Sequence, residues 1–149
     1  MPVKSDQLKD ILENVIHEET QFPEGRNVAY ITVARIGKLS EPGALDFGGS
    51  EYSQAEVDWL EPEPRSDDDK YGWYNLEKGA YRIEFNESIN LPDDTGVLLQ
   101  IWEQALKNGV MHPTEVLTQP RKPAFTQIYV DKPGVSIKEN ARLSEVRLL

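Results

Sequence analysis

The segment GWYNLEKGAYRIEFNESINLPDD, residues 72–94, decides the fold class of this chain. Within it, apolar side chains at positions 81, 83 and 85 alternate with polar ones at 82, 84 and 86. This two-residue period is typical of a strand with one buried and one wet face. Glycine, asparagine, proline and aspartate flank the strand and indicate turns on both sides. The segment therefore predicts a mainly β protein.

Short apolar segments separated by turn residues continue this pattern in both directions. Residues 27–36 (NVAYITVARI) are rich in β-branched residues and predict a buried strand. Further strands are predicted at residues 97–101, 115–118, 124–130, 135–138 and 144–149.

Two helices are expected beside these strands. The first runs from Ser5 to His17, with Ser5 as its N-cap and apolar residues every three or four positions. The second is short, from Trp102 to Asn108, and Gly109 is placed to end it with a left-handed cap. The regular spacing of many short strands then favours a β-barrel or β-sandwich.

Length and composition narrow the class of protein. A chain of 149 residues predicts one domain, residues 1–149, in which residues 1–20 form an N-terminal helical segment. The chain lacks cysteine, which excludes disulfides and thiolate chemistry, and its net charge of −10 disfavours nucleic acid as a partner. Its apolar runs are too short to span a membrane, so we expect a cytoplasmic protein without a membrane partner.

Motifs that identify a reaction are missing from the sequence. His17 and His112 lie far apart and favour packing or capping roles over metal binding, and no glycine-rich phosphate loop occurs. The acidic run Asp67–Asp69 suggests either a cation site or, more simply, a solvated loop. The three tryptophans and six tyrosines are compatible with base stacking, although packing is their commoner role in a β domain.

The order of several segments resembles the deoxyuridine triphosphatase and deoxycytidine triphosphate deaminase superfamily, especially its archaeal members. The resemblance is carried by residues 72–94, LLQIWEQALKNGV (98–110), TEVLTQP (114–120) and KPGVSIKENARLSEVRL (132–148). LSEPGALDFGGSE (39–51) is similar to the long hairpin insert of the archaeal group. The resemblance implies a distorted β-barrel or jelly roll of the β-clip type and a homotrimer.

At the positions where such enzymes bind phosphate, this chain carries different residues. The resemblance places the family's Arg-Ser-Ser run at Trp102, Glu103 and Gln104, and the aspartate of its first motif at Tyr30. A carboxylate and an indole in place of a cation and a hydroxyl remove phosphate contacts and add repulsion. The glutamine of the family's last strand is matched by Glu145.

The third motif of the family is also altered. Its aspartate, glycine and tyrosine position the attacking water and the deoxyribose, whereas the matching loop here contains Thr118, Gln119 and Arg121. The deaminase branch places a glutamate on the following strand, where this chain offers Gln127. The turns and the strand alternation are kept, so the differences concentrate at the positions that contact nucleotide.

Three hypotheses follow. The first is a non-catalytic homologue that binds a deoxynucleoside triphosphate or an enzyme partner, with Trp102 either filling the cleft between subunits or packing under the short helix. The alternative is an active dUTP diphosphatase or deaminase with a rearranged site, in which Glu103 and Glu145 hold Mg²⁺. A third is an unrelated, monomeric β-sandwich interaction module.

Overall fold

The computed structural model describes residues 4–149, with side chains from residue 6 onward. Its helices and strands, in chain order, are α1 (Lys4–Ile11), β1 (Leu12–Glu13), α2 (Glu18–Gln21), β2 (Ala29–Glu41), β3 (Glu56–Trp59), β4 (Trp73–Leu76), β5 (Gly79–Phe85), β6 (Ser88–Ile89), β7 (Val97–Ile101), α3 (Glu103–Leu106), β8 (Val110–Met111), β9 (Glu115–Leu117), β10 (Phe125–Val130), β11 (Val135–Lys138) and β12 (Arg142–Leu148). The predicted mainly β fold is confirmed.

Eight of the strands form one curled antiparallel sheet that resembles half of a barrel. Its order is β8-β10-β5-β2-β12-β7-β9, with β3 added along the end of β2. The long strand β2 is central because it pairs with β12 over its first half, with β5 over its second, and with β3 at its end. A separate pair, β4 with β11, lies outside this sheet.

One cluster of buried apolar side chains fills the inside of the curled sheet. The alternation of apolar and polar residues explains how strand β5 contributes to this cluster. Positions 81, 83 and 85 are buried, while 82 and 84 are only partly covered, as the alternating sequence predicts. The most deeply buried members of this core include Ile31, Val33, Ile36, Ile83, Phe85, Ile89, Leu99, Ile128 and Val146.

The first helix is shorter than its apolar periodicity predicts. It ends at Ile11, because Leu12 and Glu13 pair with β6 and Asn14 takes a positive φ of 66° that a helix does not allow. The prediction of one helix from Ser5 to His17 is therefore wrong, and so is Ser5 as its N-cap, because Ser5 already lies inside the helix. Tertiary strand pairing here outweighs local helix propensity.

Most other predicted elements are confirmed. The strands at 97–101 and 135–138 have the predicted bounds, and Gly109 ends the short helix with a φ of 78°. Strand β2 extends beyond the strand predicted at residues 27–36, because it continues to Glu41. Gly37 allows this extension, since a Cβ there would stand 2.5 Å from Val57 on the partner strand β3.

A buried carboxylate connects the N-terminal segment to the sheet. Glu87 is fully buried and accepts hydrogen bonds from the Thr32 amide (2.8 Å), the Thr32 hydroxyl (2.6 Å) and the Gln21 side-chain amide (2.8 Å). Gln21 also donates to the carbonyl of Tyr30, and its own oxygen accepts from the amides of Ile16 and His17. Burial raises the pKa of Glu87, while the hydrogen bonds from Thr32 and Gln21 act in the opposite direction.

Both histidines have the structural roles that the sequence favours. His17 precedes α2 and its Nδ1 accepts a hydrogen bond from the Thr20 amide, which makes it the N-cap. His112 is buried, with its ring nitrogens 2.8 Å from the Ser144 hydroxyl and 2.9 Å from the Pro113 carbonyl. None of the helices within residues 4–149 combines the length and apolarity needed to cross a membrane.

We expect Glu87→Gln to lower the free energy of unfolding by about 1–3 kcal/mol, because one carboxylate oxygen becomes an NH₂ group, which leaves at least one of the donors on Thr32 and Gln21 without an acceptor. Urea denaturation at pH 7 measures this change. Glu84→Gln is the matched control, since Glu84 pairs with Arg35 near the surface and its loss should cost less than about 1 kcal/mol. Equal losses in the two variants would contradict the role given to Glu87.

We expect the protein to lose stability as the pH falls below the ordinary histidine value of 6.5, because burial lowers the pKa of His112 in the folded chain. The unfolded chain then takes up the proton first, at a cost of up to about 1.4 kcal/mol per pH unit. His112→Gln should reduce this loss in urea denaturation at about pH 7 and pH 5.5. His17→Gln, which replaces the histidine at the surface, is the control. A loss of stability in His112→Gln as large as that in the wild type would contradict the role given to His112.

Candidate functional site

A large groove lies beside α3, between the β4–β11 pair and the start of β12. Its volume is about 1520 Å³, and Trp73 and Trp102 contribute to its walls. Trp73 opens β4, and Trp102 stands at the junction of β7 and α3. Sites for small molecules usually occupy 300–1,000 Å³, so the groove has room for a nucleotide and more.

Five cationic side chains line this groove against a single acidic one, Glu77. They are Arg65, Lys78, Lys132, Lys138 and Arg142. None of the five takes part in an ion pair among the side chains that the structure describes. In a chain with a net charge of −10, this concentration of unpaired positive charge indicates a surface that attracts anions.

Three side chains are in contact at one side of the groove: Trp102 and Arg142, which line it, and Tyr30, which is buried. The rings of Tyr30 and Trp102 have centroids 5.1 Å apart and planes tilted by 55°. The Arg142 guanidinium lies 4.5 Å from the Trp102 centroid and 5.2 Å from that of Tyr30. Arg26 donates a 3.1 Å hydrogen bond to the Tyr30 hydroxyl. Trp102 therefore packs against Tyr30 and at the same time lines the groove.

Local backbone structure fixes the position of Trp102. Strand β7 ends at Ile101, and the Trp102 amide then donates to the carbonyl of Leu143 on β12 at 3.0 Å. Trp102 precedes α3 in an extended conformation, and its carbonyl accepts the first helical bond, from Leu106. An indole offers no oxygen to cap the helix, so the side chain is left to stack.

The two carboxylates expected to hold Mg²⁺ have different partners. Glu145 is buried on β12, where its carboxylate accepts from Gln100 and Arg147, each at 3.2 Å. Glu103 is exposed and lies 3.7 Å from Lys107. Within residues 6–149 no three histidine, aspartate or glutamate side chains are grouped to hold a metal ion. These residues do not fit a magnesium site.

The remaining site candidates lie in other places. Gln104 lines the groove beside Trp102. Thr118 and Gln119 line a second groove, together with the turn that contains Asp93 and Asp94. Arg121 pairs with Glu115 at 3.1 Å and lines a third groove, and Gln127 on β10 accepts from Arg82 at 3.1 Å. Within one copy of the chain, the nine candidates therefore do not form one site: Tyr30 and Glu145 are buried, and the others lie on separate surfaces.

Sequence reasoning missed the cationic side chains of the groove. They come from segments as far apart as Arg65 and Arg142, and none belongs to a recognisable motif. The one available signal is Pro133-Gly134, a residue pair typical of turns, because Lys132 and Lys138 lie on either side of it in the sequence. For Trp73, the sequence indicates only an aromatic residue suited to packing or base stacking, and it does not indicate that the residue lines a groove.

This chain is similar over most of its length to proteins of one named kind. It is 30% identical over 140 residues to the probable deoxyuridine 5′-triphosphate nucleotidohydrolase of Methanosarcina acetivorans, covering 91% of this chain and 76% of the relative. The chain belongs to the deoxyuridine triphosphatase and deoxycytidine triphosphate deaminase superfamily. The protein of the same name from Methanococcoides burtonii is 27% identical over 139 residues, with the same coverage of both chains.

The fold agrees with this superfamily. The crystal structure of 2′-deoxycytidine 5′-triphosphate deaminase from Agrobacterium tumefaciens superposes with a TM-score of 0.64 at 13% identity. The match covers 94% of this chain, which spans 44% of that deaminase chain. No family profile matches the sequence.

We expect the stacked pair to contribute measurable coupling to stability. In a double-mutant cycle, Tyr30→Leu and Trp102→Leu should show a coupling of about 0.5–1.5 kcal/mol, because their rings are in contact. The control cycle uses Tyr30→Leu with Trp73→Leu, a tryptophan on another wall of the groove, and should be additive. Additivity in both cycles, measured by urea denaturation, would contradict the stacking.

Proposed function

We propose that this chain is a non-catalytic member of its superfamily: a single-domain, cytoplasmic protein that binds a deoxynucleoside triphosphate without converting it. The observation that carries the proposal is the stack of Tyr30, Trp102 and Arg142. Tyr30 is at the position where the resemblance places the family's aspartate, and Trp102 is at the start of its phosphate-binding run.

The chemistry of the groove supports binding. A deoxynucleoside triphosphate has a flat base and a chain of phosphates, and the groove offers tryptophan faces and unpaired cations for these two parts. Trp73 already stacks on a guanidinium, that of Arg65, at 3.5 Å from its ring centroid. A base, which is also planar, suits the same kind of platform.

The loss of general acid–base groups supports the absence of turnover. Gln127 stands where the deaminase branch has a glutamate, and it is occupied by Arg82. The loop at Thr118 and Gln119 supplies no carboxylate to activate a water molecule. Because such groups each contribute on the order of 10²–10⁴ in rate, their joint absence leaves little activity.

The separation of the candidate residues supports a homotrimer. Trp102 and Gln104 lie on one groove, Thr118 and Gln119 on another, and Arg121 on a third. A site that uses all of them needs more than one copy of the chain, as the resemblance implies. Light scattering that gives a monomer at micromolar concentration would remove this part of the proposal.

We expect dUTP and dCTP, tested with Mg²⁺, to raise the melting temperature of the protein without release of pyrophosphate or ammonia. Trp102→Arg combined with Glu103→Ser should also remain inactive, because the loop at Thr118 still lacks a carboxylate. Lys78→Glu is the binding control and should reduce the thermal shift, since it reverses one cation of the groove. Turnover of either nucleotide at ordinary enzymatic rates would overturn the proposal.

A further inference from the structure

A long hairpin arm leaves the body of the protein without covering any core. Every residue from 38 to 54 is exposed, yet the backbone of this segment is paired: Leu39 lies opposite Val57, and Ala44 forms a bridge with Ser53. We call residues 39–56 the arm. Its order comes from backbone pairing and, at the tip, from one aspartate side chain, so its other side chains are available for contact with another molecule.

The tip of the arm is built to present apolar side chains. The Asp46 carboxylate accepts hydrogen bonds from the amides of Gly49 (2.9 Å) and Glu51 (2.8 Å), which fixes the loop. This loop holds Leu45 90% exposed and Phe47 fully exposed, while Tyr52 is about half exposed. Ordered, protruding aromatic and aliphatic side chains are typical anchors of a protein interface.

The arm carries negative charge only. It contains Glu41, Asp46, Glu51 and Glu56, and neither lysine nor arginine. The three glutamates form no ion pair among the described side chains. An arm of this composition fits a surface that is cationic and has exposed apolar walls.

The groove beside α3 is such a surface on the same chain. Its five cations face one acid and are unpaired, and tryptophan, proline and valine side chains line it between them. By contrast, the groove next to the arm itself has three cations: Arg121 and Lys122 already pair with Glu115 and Glu13, and Arg82 bonds to Gln127 beside the acidic Glu84. Charge complementarity therefore favours the groove beside α3 over the arm's own neighbourhood.

We propose that the arm of one copy docks into the cationic groove of a second copy, with Leu45 and Phe47 against its apolar walls and the arm's glutamates against its cations. The contact is heterologous, because it joins two different surfaces of the chain. Repeating it from copy to copy closes a ring when the rotation between neighbouring copies permits. The contact goes beyond nucleotide binding and does not depend on it. The volume of about 1520 Å³ leaves room for an arm beside a nucleotide.

Light scattering coupled to size-exclusion chromatography tests the contact with the full chain and no nucleotide. We expect the wild-type protein to elute as a multiple of 16.9 kDa, and Leu45→Ser combined with Phe47→Ser to elute as a monomer that keeps the circular dichroism spectrum of the wild type. Val116→Ser is the matched control: Val116 is an apolar residue 60% exposed outside the arm, and its variant should assemble as the wild type does.

Charge reversal tests which surface the arm meets. Glu51→Lys with Glu56→Lys in the arm, and Lys132→Glu with Lys138→Glu in the groove, should each produce monomers, whereas all four changes in one chain should restore assembly. Three outcomes would each overturn the proposal. The variant with all four charge changes fails to assemble, the wild type is a monomer, or the Leu45/Phe47 variant assembles as the wild type does.

Nucleotide binding is measured separately from assembly. The monomeric Leu45/Phe47 variant is heated with and without dUTP, because its groove residues are unchanged. A thermal shift in that variant would show that the groove of a single copy binds the nucleotide. Loss of assembly without loss of the shift would therefore overturn neither proposal's binding step and would separate docking of the arm from nucleotide binding.

Discussion

The buried carboxylate of Glu87 is the contact on which the arrangement of the candidate site depends. It accepts from both donors of Thr32, on the strand that crosses the centre of the sheet, and from Gln21, whose amide group also holds the carbonyl of Tyr30. A charge removed from water is tolerated only where donors replace the water, and here three do so. The N-terminal segment is thereby fixed against the strand that carries Tyr30.

The position of β2 in turn determines where the side chains at one side of the groove lie. Tyr30 lies opposite Glu145 of β12 in the sheet, and β12 starts with Arg142, which stacks on both Tyr30 and Trp102. Glu145 in turn is held by Gln100 and Arg147. The groove wall is thus a continuation of the packed interior, which suits a surface that holds a ligand in place better than one that must rearrange around a reaction.

The sequence was informative where a feature depends on local geometry and silent where it depends on tertiary proximity. Alternation and turn chemistry predicted the strands at 97–101 and 135–138, and Gly109 predicted the end of α3. The helix expected through His17 was wrong because β6 pairs with residues 12–13, which periodicity cannot reveal. The aromatic stack and the cationic groove join residues more than 70 positions apart, so no window of sequence contained them.

The separation of the arm's acids from the groove's cations also makes the molecule electrically polar despite its overall negative charge. Two approaching copies repel one another as whole bodies, but each exerts an orienting torque on the other at distances comparable to the Debye length, about 8 Å at physiological ionic strength. Added salt should accordingly make encounters less well aligned while it also screens the repulsion between the two molecules, and apolar anchors such as Phe47 still stabilise the contact once it is made.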